Sequence, residues 1–235
     1  ITGETALVTV MHANNEVGSI QPLARIAAIA RARGIPVHTD AAQSFGKIPV
    51  DVDDLGVDLL SIAGQKIYGP KGVGALYVRE GTALERLIHG AGQEAGRRAG
   101  TESILLVAGL GKACELAAAR LEERARHGAA LRDRLWAGLA AAVPGLIRHG
   151  DPARGLPNTL SVSFPGREAA ALLGSVPEIA ASAGAACHSG EVNVSDTLAA
   201  MGVSREGALG TIRFSTGAGL TAEEVDQAVE ILAQR

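Results

Sequence analysis

Short apolar runs alternate with an amphipathic stretch through the first part of the chain. Residues 5–11 (TALVTVM) and 35–40 (IPVHTD) are rich in apolar and β-branched side chains, so each predicts a buried strand. Between them, residues 22–33 place apolar side chains at helical spacing, with a proline first and a glycine following, which predicts a helix. Residues 57–64 and 72–79 predict two further strands. This alternation indicates an α/β fold with a largely parallel sheet.

The middle of the chain has a helical pattern. Residues 101–142 are rich in alanine and charged side chains and predict helix, with an interruption near His127 and Gly128. After this stretch the pattern changes to short strands and helices. We therefore place a domain boundary inside it, with one domain over residues 1–121 and a smaller α+β domain over residues 122–235.

The second domain ends in a helix with a clear start signal. Thr221 and Glu224 have the spacing of a capping box, so residues 221–234 predict the last helix. The other predicted elements of this domain are strands at residues 158–164, 178–182 and 211–216 and a short helix at residues 167–174.

Composition excludes several classes of protein. The chain has 235 residues, 47% of them hydrophobic, which is enough for a sizeable core. Its formal net charge of -3, with both signs mixed, indicates neither a nucleic-acid partner nor a membrane surface. No apolar run is long enough to cross a membrane, and from the sequence we expect no signal peptide. Two cysteines make no disulfide framework, so we expect a reducing, cytoplasmic setting.

The first residues raise a question of completeness. The chain starts ITGETALVTV, without an initiator methionine, and reaches a strand almost at once. We therefore expect that a segment on the N-terminal side is missing.

Two polar residues follow the second predicted strand. Asp40 lies just past its carboxyl end, where open α/β sheets bind ligands, and Gln43 lies three residues later in a turn. Both side chains are therefore candidates for one ligand, although capping a turn or helix is an equally good interpretation of Asp40.

Two lysines follow the next strand, in SIAGQKIYGPKG. Lys66 comes directly after the strand and a glycine, so its side chain leaves the sheet edge, where partial desolvation favours Schiff-base chemistry. Lys71 lies in a GPKG turn that faces water. Most single lysines are solvated charges. Only its position after the strand makes Lys66 a better candidate than Lys71 for a chemical role.

The cysteines differ in their surroundings. Cys114 shares a helical stretch with apolar neighbours, which predicts a packing role. Cys187 lies among small residues in ASAGAACHSG, which predicts a flexible loop and a candidate nucleophile, although many loop cysteines are inert. The adjacent His188 is weak evidence for activation, because neighbours on an extended chain point in opposite directions.

Arg213 lies between apolar positions of a predicted strand. A guanidinium group there needs an acceptor, either a carboxylate in an internal ion pair or the carboxylate of a bound substrate. The histidines are scattered without the spacing of metal ligands, and no dinucleotide-binding or Walker loop is present.

Six segments, taken in order, resemble one family. They are VTVMHANNEVGSIQPL, VHTDAAQSFGKIPVDV, VDLLSIAGQKIYGPKGVGALYVR, GQEAGRRAGTES, SAGAACHS and IRFSTG. Together they resemble the cysteine desulfurases and selenocysteine lyases, pyridoxal-phosphate enzymes of the class V aminotransferase fold (fold type I). The resemblance covers essentially the whole chain, and GAACHS and HTDAAQ lean modestly toward the selenocysteine-lyase branch. It implies that residues 1–121 are the C-terminal part of the cofactor-binding large domain.

The resemblance also implies roles for the cofactor-binding residues. Lys66 matches the lysine that forms the Schiff base with pyridoxal phosphate, and Asp40 matches the aspartate that keeps the pyridinium nitrogen protonated. Gln43 matches a hydrogen-bond donor to the phenolic oxygen of the cofactor. Asn15 matches an asparagine close to that oxygen and to the substrate. Thr101 matches a threonine that reaches the cofactor phosphate of a partner subunit, which implies a homodimer.

Two further residues are implied to act on the substrate. Arg213 matches the arginine that binds the substrate carboxylate, and Cys187 matches the thiol that attacks sulfur. The implied reaction converts L-cysteine to L-alanine and leaves a persulfide on Cys187 for an acceptor protein. With L-selenocysteine, the same residues would release selenium.

The chain departs from the family pattern at two positions beside the lysine. Gln65 stands where the family usually has a histidine just before the Schiff-base lysine, and a glutamine cannot take up a proton or carry a charge at neutral pH. Ala63 stands where a serine often contacts the phosphate. The segment that carries the ring-stacking histidine and a phosphate-binding turn has no counterpart here.

Two other functions remain open at this point. An aminotransferase or decarboxylating relative would share the fold, but transamination needs no thiol such as that of Cys187. A non-catalytic fragment or scaffold is favoured by Gln65, Ala63 and the absent front segment. It is disfavoured by the joint presence of the five chemical side chains, Asp40, Gln43, Lys66, Cys187 and Arg213.

Overall fold

The structure is a computed structural model that describes the backbone of residues 1–188 and 191–235 and the side chains of residues 1–184 and 194–235. Contacts divide the chain into two compact units. The first consists of residues 1–13 and 21–121, and the second of residues 14–20 and 122–235. Residues 14–20, which the sequence places in the first domain, thus belong to the second unit.

A mixed sheet forms the centre of the first unit. Its strands are β1 (Val8–Thr9), β2 (Val37–Asp40), β3 (Leu59–Ala63) and β4 (Gly74–Val78), in the order β1-β2-β3-β4. The pairs β1-β2 and β2-β3 are parallel, and β3-β4 is antiparallel. The sheet is therefore largely parallel, which confirms the α/β fold class expected from the alternation of strands and helices.

Three helices belong to the first unit, namely α1 (Leu23–Arg31), α2 (Val52–Leu55) and α3 (Ile104–Ala119). The buried side chains of α1 recur at helical spacing, and two of them, Ala27 and Ala30, pack in one apolar cluster with side chains of β2 and β3. Helix α2 begins at Asp51, whose carboxylate accepts the backbone N–H groups of Asp53 and Asp54. Helix α3 buries Leu110, Ala113 and Ala117.

The second unit has an antiparallel sheet. Its strands are β5 (Ile147–His149), β6 (Thr159–Ser163), β7 (Ser182–Ala183) and, last in the chain, β10 (Thr211–Ser215), in the order β5-β6-β10-β7. A separate hairpin consists of β8 (Ala185–His188) and β9 (Glu191–Val194).

The helices of the second unit are α4 (Leu121–Ala142), α5 (Ala169–Gly174), α6 (Asp196–Ala200), α7 (Arg205–Leu209) and α8 (Ala222–Ala233). Leucines of α4 pack with Leu160, Val162 and Ile212 on one face of the sheet, so that face carries the core of the unit. Helix α8 begins with the capping box of Thr221 and Glu224, as its sequence predicts. Within the described residues, no helix is long and apolar enough to span a membrane.

Three local predictions are wrong. The helical stretch breaks at Arg120 rather than near His127 and Gly128, and α4 continues through both. Gly128 serves packing instead, because a Cβ there would lie 3.2 Å from the Cβ of Asn158. Cys187 lies in strand β8 and not in a loop, because Cys187 pairs with Val192 across the hairpin.

The third wrong prediction concerns a strand. The strand expected at residues 178–182 is limited to Ser182–Ala183, where the chain pairs with β10.

Candidate active site

Three consecutive parallel strands of the first unit bring their carboxyl ends to the same edge of the sheet. The chain leaving β1 reaches His12, whose backbone N–H donates to the carbonyl oxygen of Asp40 at 2.8 Å. Asp40 ends β2 and pairs in register with Ser61 of β3. β3 then leads within a few residues to Lys66. The carboxyl edge of a parallel sheet is where α/β proteins bind ligands, so this edge is the candidate site of the first unit.

Asp40 presents an exposed carboxylate at this edge. Its Oδ1 accepts the backbone N–H of Ala42 at 2.8 Å, a local turn that fixes the orientation of the carboxylate. Gln43 is half-buried in the same turn, and its Oε1 accepts a hydrogen bond from Lys47 Nζ at 3.3 Å. Both turn-capping and ligand binding are therefore compatible with Asp40, because the capping bond occupies only one carboxylate oxygen.

Lys66 lies on a short 3-10 helix, Gly64–Ile67, that follows β3 directly. Gly64 anchors the start of this helix, because its N–H donates to the Val73 carbonyl at 2.9 Å. Ile67 is buried, and Tyr68 ends the helix with a φ of 68°. The side chain of Lys66 is exposed, and among the described side chains it has no ion pair.

His12 is a residue of this edge that sequence reasoning missed. Its side chain is only 4% exposed, and Nδ1 has no hydrogen-bond partner. Burial lowers the pKa of His12, so the imidazole is neutral at neutral pH. In the sequence, the position of His12 after a strand is the one indication of a functional role, because His12 lacks the spacing of a metal ligand.

In the second unit, Arg213 is the central polar side chain. Its Nη1 donates to the carbonyl oxygen of Asn15 at 2.7 Å, and its Nη2 donates to Ser182 Oγ at 2.7 Å. Nε is buried and has no acceptor. Two of the residues predicted for the substrate, Asn15 and Arg213, are therefore brought into contact, although through the backbone of Asn15 and not its side chain.

An internal ion pair does not account for Arg213. Among the described side chains, no carboxylate lies within 4.0 Å of its guanidinium group, and its two acceptors are neutral. The positive charge therefore has no described counter-charge, and Nε has unsatisfied hydrogen-bonding capacity. Both features suit an anionic ligand.

The other predicted residues are placed as follows. Gln65 is exposed beside Lys66, and Thr101 is exposed in the irregular segment before α3. Cys187 is in the backbone of β8, but its side chain lies outside the part of the chain that the structure describes. Cys114 packs against the apolar cluster of α3, and burial raises the pKa of its thiol, in keeping with a structural role. No cluster of metal-binding side chains occurs among the described residues.

A family model and the curated relatives point to the same protein family. The family model for aminotransferase class V matches residues 1–228. Among curated proteins, cysteine desulfurase IscS of Clostridium botulinum is 44% identical over 236 residues, and the match covers 99% of this chain and 59% of the relative. Cysteine desulfurase IscS of Methanosarcina thermophila is also 44% identical, covering 100% of this chain and 58% of the relative.

Solved structures agree with this. A NifS-like protein is 39% identical with a TM-score of 0.91, and the match covers 100% of this chain and 62% of that protein. DndA from Streptomyces lividans is 36% identical with a TM-score of 0.74, covering 92% of this chain and 62% of that protein. The chain thus spans about three-fifths of the length of the proteins it matches.

Proposed function

Because the chain belongs to the class V aminotransferase family, we propose that it acts as a pyridoxal-phosphate-dependent cysteine desulfurase. The reaction would convert L-cysteine to L-alanine and leave the sulfur as a persulfide on Cys187. The observation that carries the proposal is the arrangement of the first unit, where Asp40 ends β2 and Lys66 follows β3, its parallel neighbour. The names of the matched relatives support cysteine as the substrate.

The side chains at this edge suit pyridoxal phosphate. The cofactor needs an amine for its aldehyde and a carboxylate for its ring nitrogen. Lys66 offers an exposed amine without a described ion pair, and Asp40 offers a carboxylate with one oxygen already fixed by Ala42. When bound, the cofactor would withdraw electrons from the Cα atom of the substrate.

The residues of the chain would then have separate tasks. Lys66 Nζ holds the cofactor, and Asp40 keeps the ring nitrogen protonated. Gln43 would donate to the phenolic oxygen through its Nε2–H, while its Oε1 keeps the hydrogen bond from Lys47 Nζ. Gln65, unlike a histidine, supplies only a neutral hydrogen bond next to the cofactor. Ala63 ends β3 and supplies no hydroxyl for the phosphate.

The substrate-binding residues belong to the second unit. Arg213 binds the carboxylate of the amino acid, for which its unpartnered Nε and its lack of a described counter-charge are suited. The side chain of Asn15 is exposed and its backbone is held by Arg213, so the side chain is available to the substrate. Cys187, as a thiolate, would attack the sulfur of L-cysteine, so that an S–S bond forms as the Cβ–S bond breaks. The carbon skeleton takes the electron pair and a proton and leaves as L-alanine, and the persulfide passes to an acceptor protein.

A homodimer is part of the proposal. The segment that contains Thr101 is flanked by strongly exposed apolar side chains, among them Leu87 at 91%, Leu105 at 87% and Ile104 at 70% exposed. Burying these apolar side chains against a second copy would be stabilising, because it removes apolar surface from water. Thr101 would thereby reach the cofactor phosphate of the partner subunit. A cytoplasmic location also remains part of the proposal, on the basis of the sparse use of cysteine.

The test is a comparison of the wild-type protein with Cys187→Ala and Cys114→Ala. In the presence of pyridoxal phosphate, L-cysteine and dithiothreitol, which reduces the persulfide and frees its outer sulfur as sulfide, we expect sulfide and alanine from the wild type. Cys114→Ala, the matched cysteine control, should retain this activity, because Cys114 packs in an apolar cluster. Cys187→Ala should keep the absorbance of the bound cofactor but lose sulfide release. Full activity of Cys187→Ala would overturn the assignment.

A further inference from the structure

Arg213 has a serine on each side in the second sheet. It lies on β10, which pairs with β6 and with β7. Its register partners are Ser161 on β6 and Ser182 on β7. Side chains of register partners stand on the same face of an antiparallel sheet, so both serines neighbour the side chain of Arg213.

Only one of these serines bonds to the guanidinium group. Ser182 Oγ accepts a hydrogen bond from Nη2 at 2.7 Å, whereas Ser161 Oγ is buried and has no partner. The carbonyl oxygen of Asn15 accepts from Nη1, also at 2.7 Å. Both bonds are as short as charge-assisted hydrogen bonds usually are. The guanidinium group is thus held at two nitrogens.

Two fixed nitrogens determine the plane of a guanidinium group. An arginine recognises a carboxylate through two parallel N–H groups, which requires that plane to be correctly oriented. Nε–H, the buried donor without an acceptor, is free for a ligand oxygen. A long, otherwise mobile side chain binds more tightly when its orientation is fixed before the ligand arrives.

We infer that Ser182 is a positioning residue for substrate binding: together with the Asn15 carbonyl, its hydroxyl orients Arg213 for the carboxylate of the amino acid. The inference rests on the proposed function of Arg213. The hydroxyl of Ser182 is not needed for the sheet itself, because β7 pairs with β10 through the backbone, with Ile212 opposite Ala183 and Arg213 opposite Ser182. Loss of the hydroxyl should therefore affect Arg213 and leave the fold intact.

The first test uses the full-length protein loaded with pyridoxal phosphate, in three variants. Ser182→Ala removes the hydroxyl, Ser182→Thr keeps it, and Ser161→Ala is the matched control on the other side of Arg213. Ligand binding is followed by the change in cofactor absorbance, with L-cysteine, L-alanine and cysteamine, which is an aminothiol without a carboxylate.

We expect Ser182→Ala to raise the KM for L-cysteine and the Kd for L-alanine about tenfold, equivalent to about 1.4 kcal/mol. The kcat should change less than the KM. Binding of cysteamine should be unchanged, because no carboxylate is involved. Ser182→Thr, which keeps a hydroxyl, should bind the carboxylate ligands as the wild type does. Ser161→Ala should have the same KM and Kd values as the wild type. A change in KM of less than about twofold in Ser182→Ala, or an equal loss of cysteamine binding, would overturn the inference.

A second measurement separates this inference from the proposed function. The Nε–H signal of Arg213 in an NMR spectrum of the same protein, assigned through Arg213→Lys, reports the order of the guanidinium group directly. We expect an ordered signal in the wild type and in Ser161→Ala, and a mobile one in Ser182→Ala. If the wild type fails to act on L-cysteine, the proposed function fails. If the Arg213 signal is equally ordered in Ser182→Ala, the positioning role fails.

Discussion

A methyl group added at Gly64 has no free space to occupy. A Cβ there would lie 2.9 Å from the Val73 carbonyl oxygen, 3.1 Å from Val73 Cγ1 and 3.2 Å from the Pro70 carbonyl oxygen. The Val73 oxygen also accepts the N–H of Gly64 at 2.9 Å, so it cannot move away without lengthening that bond. Two of the three neighbours are backbone atoms, which have little freedom to rearrange.

Gly64→Ala should therefore be destabilising. Overpacking of this kind costs about 1–3 kcal/mol. Because Gly64 begins the short helix that carries Lys66, the shift should also displace the Lys66 amine and weaken cofactor binding. The matched control is Gly111→Ala in α3, where a Cβ meets nothing within 4 Å. An alanine in an exposed helix interior is stabilising by up to about 1 kcal/mol relative to glycine.

Two measurements test this prediction. Urea unfolding followed by circular dichroism should give a lower midpoint for Gly64→Ala and an equal or higher one for Gly111→Ala. Titration with pyridoxal phosphate should show weaker binding to Gly64→Ala alone. An unfolding midpoint and a cofactor affinity equal to those of the wild type would refute the argument that the close approach of Val73 requires glycine at this position.

Two further predictions concern pH and assembly. Burial lowers the pKa of His12 and of His149 from the model-peptide value of 6.5. Just below pH 6.5 the two imidazoles therefore bind a proton in the unfolded chain but not in the folded one, which favours unfolding. Their contribution to stability is complete above 6.5 and is lost as the pH falls through the folded values. The urea midpoint should therefore begin to drop as the pH falls below 6.5, and less steeply in His149→Gln; a midpoint that stays constant below this pH would contradict this. Leu105→Glu should convert the proposed dimer to monomers in analytical ultracentrifugation. Glu230→Lys, a charge change at an exposed position of α8, should not; an intact Leu105→Glu dimer would place the interface elsewhere.

Features of the chain that depend on nearby residues were predictable from the sequence. The capping box of Thr221 and Glu224 is a local signal, and the structure contains both of its hydrogen bonds. Lys66 follows an apolar strand and a glycine, which by itself indicated a side chain leaving the sheet edge. The alternation of strands and helices similarly indicated the largely parallel sheet of the first unit.

Features that depend on distant partners were not predictable. Ser182 contacts Arg213 only because β7 and β10 pair in one particular register, which no local pattern encodes. The buried His12 likewise lies beside Asp40 because β1 and β2 are parallel neighbours. Gly128 was expected to interrupt a helix, but the close approach of Asn158 makes a glycine favourable inside α4. In each case the feature depends on tertiary packing between residues that are distant in the sequence, which local propensity does not encode.

Lys66, and no other lysine of the chain, is proposed to hold the cofactor. The direct test is to incubate the purified protein with pyridoxal phosphate, reduce it with borohydride and locate the attached pyridoxyl group by tandem mass spectrometry. Lys71 is the internal control, because it lies in the neighbouring turn. We expect a visible absorbance band that reduction removes, with the pyridoxyl group on Lys66. Attachment to Lys71 or Lys47, or the same band and labelling in Lys66→Ala, would contradict it.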